Sequence, residues 1–375
     1  MNYIAFEEIK IFIKDAFSLD VKPISYPDDY TLKQLFLLAR HDQIAGFDRI
    51  DKAFANVSVA KDWPKHPFTE EKNFRLTTRG KLEPYYLGLQ SRKKYEKFWK
   101  NVEYDADIVK FQTTQKLEVL QIVIAETNIV EGHDYILQMY NACPRWNQTV
   151  ANNFTHYIEQ SYAYGNKTLA PIAERMSKKY DINPPLDPSL LPYMFYYCQF
   201  WVLQFNRTDT WCGLLSDDDL ILARYYWNMK SYFQYSYGNP LNEQLGCAYV
   251  TQFVNSVEDY LNGKSRMVAD MKMGHGFTEF VVLTTLGLFK NEYPLTADLT
   301  LEQIKGLKYI EQKEFYWAST IYFEIYNSTS PGKDALLRLV VNSEPYIIPG
   351  CDGEYCKWNK FKNILSSKIN CDFEK

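Results

Sequence analysis

Residues 37–46 read Leu-Leu-Ala-Arg-His-Asp-Gln-Ile-Ala-Gly, LLARHDQIAG, the end of an apolar run that closes on an Arg-His pair and then a glycine. The longer run 33–40, KQLFLLAR, has the length and continuous apolarity of a buried strand, and the residues after it drift to helical spacing. The stretch therefore predicts a strand, a tight loop and a helix, and α/β proteins place their chemistry at such strand ends. Arg40 and His41 are residue types that hold phosphate oxygens, whereas Asp42 beside them carries a charge that repels phosphate.

The alternation continues outward. Residues 78–100, TRGKLEPYYLGLQSRKKYEKFWK, carry Leu82, Tyr86, Leu89 and Tyr95 near helical spacing, with lysines and arginines between them. A second strand, DADIVKFQT, precedes a helical stretch, QKLEVLQIVIAETN. From about 130 to 260 the chain turns helical and aromatic, as in PYMFYYCQFWVLQF and DDLILARYYWNMKSYFQYSYG, and Ser216 with Asp217, Asp218 and Asp219 suits a helix start. Then KSRMVADMKMGH returns to a strand ending at Gly274-His275, followed by a helix through Phe280, Leu283, Leu286 and Leu288. FYWASTIYFEIYN and ALLRLVVNSEPYIIP read as further strands. The pattern predicts an α/β core over 1–128 and 262–375, interrupted by an α-helical insertion over 129–261.

Composition bounds the function. Of 375 residues, 46% are hydrophobic and 16% aromatic, with 30 Tyr and 23 Phe, a payload that demands a large interior. A net charge of -4 gives no reason to expect a nucleic-acid partner. No apolar run approaches the roughly 20 residues of a membrane-spanning helix. The start, MNYIAFEEIKIFIKDAF, lacks the form of a signal peptide, because Glu7, Glu8, Lys10 and Lys14 interrupt it.

Six Asn-x-Ser/Thr sequons, at Asn56, Asn147, Asn153, Asn166, Asn206 and Asn327, point instead to the mature form of a secreted glycoprotein, with Met1 added for expression. Seven cysteines form no zinc pattern; Cys351 and Cys356 flank a short Asp-Gly turn that suits a disulfide. A cytosolic protein with buried free thiols is the other reading of the same residues. No metal or cofactor is expected.

Two histidines, each at a strand end and separated by a helical insertion, form the pattern of a histidine acid phosphatase. More specifically, the chain resembles the multiple inositol polyphosphate phosphatases, the branch with phytase-like and 2,3-bisphosphoglycerate-cleaving enzymes. LLARHD lies where that family has RHGxRxP; FRLTTRGKLEPYYLG looks like its LTxxGxxxxxxLG helix. TWCGLLSDDDLILARYYWNMKSYFQYSYG and MGHGFTEFVVLTTLGLFKNEYPLTA are similar to two further family segments. The resemblance covers most of the chain. It implies a histidine-phosphatase fold with a mostly parallel central sheet flanked by helices. His41 would attack phosphorus and His275 would bind phosphate, with Arg40, Lys116 and Arg79 as ligand-binding cations. The disulfides expected with it are Cys143–Cys198 and Cys212–Cys247, leaving Cys371 unpaired.

The motifs also depart from the family. Its glycine, second arginine and proline fall on Asp42, Ile44 and Gly46, and a further phosphate-binding arginine falls on Leu117, with Lys116 beside it. The HAE motif becomes His275-Gly276-Phe277, so phenylalanine stands where the resemblance implies the proton donor. Glu279, two residues along, is about 200° around a helix from that position and faces away from it. Asp42 either salt-bridges Arg40 or, protonated, serves as an acid. These departures lead to the expectation of a pseudophosphatase that binds a small anionic ligand such as an inositol phosphate, or a protein partner. The alternative is an active phosphatase acting on phytate or 2,3-bisphosphoglycerate through a phosphohistidine at His41. Arg75, Arg79, Arg92, Lys93 and Lys94 line a mouth for polyanions or form a solvated helix face; His66, His133 and His156 lack a strand-end context.

Overall fold

The computed structural model describes residues 21–40, 53–63, 78–103, 105–113, 134–152, 155–308 and 319–370. In chain order, the elements that build and flank the site are β1 (Tyr30–Arg40), α1 (Thr78–Lys94), β2 (Val109–Thr113), α2 (Thr155–Tyr164), α3 (Ala170–Tyr180), α4 (Leu191–Phe205), α5 (Asp217–Tyr235) and α6 (Cys247–Leu261). They continue with β3 (Ala269–Gly274), α7 (Gly276–Thr285), β4 (Thr320–Ser328), β5 (Leu336–Val341), β6 (Glu344–Tyr346), β7 (Tyr355–Lys357) and α8 (Trp358–Ile364). The described residues between β2 and β3 contain helices and no strand.

The strands form one mixed sheet in the order β2-β3-β1-β4-β5-β6, with β7 also on β5. β2, β3 and β1 are mutually parallel, and β1 pairs antiparallel with β4. β1 is covered on both faces, which is why its sequence is apolar without alternation. Phe36 and Leu38 join the larger core cluster with Phe253 of α6 and Phe280 and Val281 of α7. Leu35, Leu37 and Ala39 join a second cluster with Tyr95 and Phe98 on the opposite face. The segment expected to give further strands after 335 is a hairpin: Asn342 and Ser343 both have positive φ, 49° and 73°, the geometry of a two-residue turn whose twist matches its strands.

Local signals hold at the helix starts. Ser216 Oγ accepts from Asp219 N at 3.2 Å while Asp219 Oδ2 accepts from Ser216 N at 3.0 Å, a capping box further held by Arg175, 2.6 Å from Asp219. On α1, Tyr95 just past the helix end is fully buried as expected, but Leu82 is exposed.

The disulfide pattern needs correction. Cys198 bonds Cys212, not Cys143. Asn206 closes α4 in a left-handed conformation, and the chain folds back so that Trp211 packs on Tyr197 at 4.8 Å, bringing the neighbouring cysteines together. Cys143 is a buried free thiol whose sulfur accepts the Trp146 N–H at 3.4 Å. Cys247 is disulfide-bonded, though not to Cys212. Cys351–Cys356 forms as expected; Cys371 lies outside the described residues.

On the face away from α6, Glu324 of β4 is fully buried. Its carboxylate accepts from Tyr95 Oη at 2.8 Å and Tyr326 Oη at 2.6 Å and lies 3.4 Å from Arg338. A buried carboxylate is tolerated only with such partners. Lys94, one of the mouth candidates, belongs to this side: its amine is discharged more readily than usual because of burial, opposed by the attraction of Glu324. Tyr322, buried nearby, has its phenol pushed up to about 12, chiefly by burial. A group whose pKa rises on folding supports the fold below its unfolded pKa and loses that support as pH climbs through the folded value. Stability should therefore fall from about pH 10 to about pH 12. Urea denaturation of wild type and Tyr322→Phe across that range checks this, the variant showing the shallower decline.

Candidate functional site

The register of two parallel strands defines the site. Leu35 pairs with Ala269 and, five residues on, Arg40 pairs with Gly274, so β1 and β3 end level with one another. His275 follows Gly274 in extended conformation, φ -114° and ψ 159°, half-buried, as the N-cap of α7. The helix start and its dipole favour an anion there. A β-carbon at Gly274 would stand 3.3 Å from Thr278 Oγ1, which is tied to the Leu137 carbonyl, so the turn from β3 into α7 is closely packed.

Phe277 and Glu279 take opposite directions from this helix start. Phe277 is 38% exposed, and its ring stacks on Tyr235 with centroids 4.2 Å apart and planes 17° from parallel. Tyr235 stacks in turn on Trp146 at 5.6 Å, and Tyr140 meets Phe277 edge-on at 6.3 Å. Trp146 is itself anchored, its indole N–H donating to Asn242 Oδ1 at 2.9 Å. Glu279 is 0% exposed and accepts from the Ser319 hydroxyl. Two residues along a helix turn the side chain through about 200°, so an outward Phe277 dictates an inward Glu279.

Behind the helix start lies a buried charged layer. Asp270 and Lys272 occupy the same face of β3 as Gly274 and form a buried ion pair. Burial pushes the Lys272 amine down, and Asp270 pulls it back up. Tyr249 of α6, its ring 5.9 Å from Lys272 Nζ, is raised first by burial and then by Asp270 and Glu279. Neither the pair nor Glu279 reaches solvent.

Of the residues singled out in the sequence, the structure brings Arg40 and His275 to one end of the sheet through the pairing of their strands. Arg79 is the second residue of α1 and His156 lies in α2; Arg92 and Lys93 are exposed. His41, Asp42, Ile44, Gly46, Arg75, Lys116, Leu117, His66 and His133 lie outside the described residues. Sequence reasoning missed the Trp146–Tyr235–Phe277 stack and the Asp270–Lys272 pair. The second had a signal: two charges at i and i+2 inside an apolar strand must find each other when both strand faces are covered. Among the described residues no group of three His, Cys, Asp or Glu side chains could hold a metal, and no helix is long and apolar enough to cross a membrane.

This fold is shared with solved phosphatases. A phytase from D. castellii superposes with a TM-score of 0.74 at 16% identity, covering 96% of this chain and 85% of its own. The Bifidobacterium longum multiple inositol polyphosphate phosphatase, solved with inositol hexasulfate, gives 0.72 at 11% identity over 96% of this chain and 97% of its own. The same enzyme has also been solved with phosphate.

The sequence model of the histidine phosphatase superfamily, branch 2, matches residues 114–342, and the chain belongs to that family. The matched residues include His275 and begin beyond β1 and the Arg40–Gly46 stretch. Multiple inositol polyphosphate phosphatase 1 of Dictyostelium discoideum is 20% identical over 299 residues, which is 67% of this chain and 47% of that protein. The chain spans about half the length of the curated relatives it matches.

The buried pair behind His275 makes a direct prediction. Removing one partner alone, as in Asp270→Ala, leaves Lys272 uncompensated and should cost about 3–5 kcal/mol. Replacing both with apolar residues, Asp270→Leu with Lys272→Met, should restore most of that. Equilibrium denaturation of the three proteins measures the difference.

Proposed function

We propose that the level ends of β1 and β3 bind a phosphoryl or other small anionic group, with an inositol phosphate as the reference ligand, and that hydrolysis of cyclitol phosphates there is weak. The observation that carries this reading is Phe277. It stands two residues after His275, packed into an aromatic stack, while the nearest carboxylate on the same helix is buried against Ser319. A cyclitol alkoxide is a poor leaving group, and the absence of a positioned proton donor typically costs a factor of about 10² to 10⁴. In this reading Arg40 and His275 hold the ligand, Arg79 and Lys116 add charge, and residues 129–261 form a helical cap over the α/β core. The family membership and the inositol hexasulfate bound by the B. longum enzyme support the ligand class.

The second reading, an active phosphomonoesterase, draws support from the relatives named phosphatases and phytases. There His41 attacks phosphorus, the ester P–O bond breaks with its electron pair leaving on the alkoxide, Asp42 supplies the proton, and water then hydrolyses the phosphohistidine.

Calorimetric titration with inositol hexakisphosphate, alongside phosphate release from phytate and 2,3-bisphosphoglycerate between acidic and neutral pH, separates the two. The binding reading expects saturable binding weakened at least tenfold by His275→Ala, with little turnover, and Phe277→Glu raising turnover by about 10². Robust wild-type turnover abolished by His41→Ala establishes the second reading instead. Absence of binding and turnover together removes both and leaves a protein partner on the aromatic helices as the occupant to seek.

The sequons support a secreted glycoprotein. Asn56, Asn166 and Asn206 are exposed, and Asn147 and Asn327 are half-buried. Expression through a secretory pathway should give a product that endoglycosidase shortens, with Asn166→Gln and Asn206→Gln each removing one step of the shift on a gel. An unglycosylated product counts against secretion.

A further inference from the structure

We propose that Phe277 makes this site selective for phosphate monoesters and phosphonates that carry an aromatic ring next to phosphorus. The inference rests on the reading that the strand ends bind a phosphoryl group, and it names the substituent that group bears.

Three observations lead to it. First, Phe277 is among the few large apolar side chains exposed among the described residues, most of whose aromatic rings are buried or half-buried, and it lies two residues from His275, within about 7 Å along the backbone. Second, the ring is held in place rather than merely exposed. Tyr235 covers one face in parallel contact, Trp146 backs Tyr235, and Tyr140 and Phe280 meet Phe277 at 6.3 Å and 6.1 Å. Among the described residues Tyr235 is the only ring stacked parallel on Phe277, while Tyr140 and Phe280 meet it at 90° and 53°, so no second described ring lies parallel to it. A flat ring placed there continues the stack at little ordering cost, because the platform is already assembled.

Third, the chemistry at this position has one direction. A carboxylic acid beside a phosphoryl group serves an alcohol that needs a proton as it leaves. A phenyl ring in the same place offers no proton to a leaving cyclitol and a stacking surface to an aryl group. Glu279 cannot recover the polar character, since it is turned inward to Ser319. With the anion at the His275 helix start and the ring on Phe277, an aryl phosphate would satisfy both halves of the site.

Non-hydrolysable phosphonates test the proposal without reference to catalysis. Calorimetric Kd values would be compared for phenylphosphonate, cyclohexylphosphonate and methylphosphonate at one pH where all are dianions, with inorganic phosphate as control. Phenylphosphonate should bind roughly three- to tenfold more tightly than methylphosphonate and more tightly than cyclohexylphosphonate, which matches its size but cannot stack. Phe277→Leu should erase the phenyl preference while leaving methylphosphonate affinity unchanged, and Phe277→Trp should keep or enlarge it. Methylphosphonate binding also reports whether each variant is folded at the site. Equal affinity for phenyl- and methylphosphonate, or for phenyl- and cyclohexylphosphonate, overturns the aromatic selectivity while the phosphoryl site stands. If methylphosphonate and phosphate both fail to bind wild type, the phosphoryl reading falls, and this inference with it.

Discussion

The parallel pairing of β1 with β3 is the constraint on which the rest of the structure depends. Residues distant in sequence, Leu35 to Arg40 and Ala269 to Gly274, are locked in register by backbone hydrogen bonds. A slip of one residue would send every side chain of β1 to the wrong face. Phe36 and Leu38 are buried on one face and Leu35, Leu37 and Ala39 on the other, so both faces enforce the register. The level ending of the two strands follows from that packing, and it places Arg40 and His275 at the same end of the sheet.

The two faces then solve different electrostatic problems. On one, Glu324 is held by two phenols and an arginine, joining the end of α1 to the antiparallel half of the sheet. On the other, Asp270 and Lys272 neutralise each other behind the candidate site. The Asp270–Lys272 pair is buried on both sides, whereas Arg338 links the buried Glu324 to the exposed Glu354. Both act on where backbone elements sit.

Much of the fold was legible because its strands are buried on both sides and its helices carry clear starts. β1 and β3 announce themselves as apolar runs, and the Ser216–Asp219 box marks the start of α5. Of the two histidines expected at strand ends, His275 follows β3 as expected, and His41 lies outside the described residues. What was not legible depends on distance across the fold. Cys198 joins Cys212 because a left-handed residue at Asn206 folds the chain back, a geometry no cysteine spacing reveals. Tyr235, Trp146 and Phe277 sit on three separate segments, and nothing in their spacing announces that their rings stack. The opposed directions of Phe277 and Glu279 could be foreseen, since helical rotation alone sets them.

That rotation has a consequence for how this site can change over generations. Glu279 is committed to Ser319 and the interior, so it could act in solvent only if the first turn of α7 were rewound, against the packing of Thr278 on Gly274. Phe277 is exposed and ends the stack among the described residues, and Trp146 at the other end is anchored by its hydrogen bond to Asn242. The position can therefore exchange aromatic and acidic side chains without disturbing the core. The architecture leaves the side chain two residues after His275 exposed while fixing the buried carboxylate two residues further on.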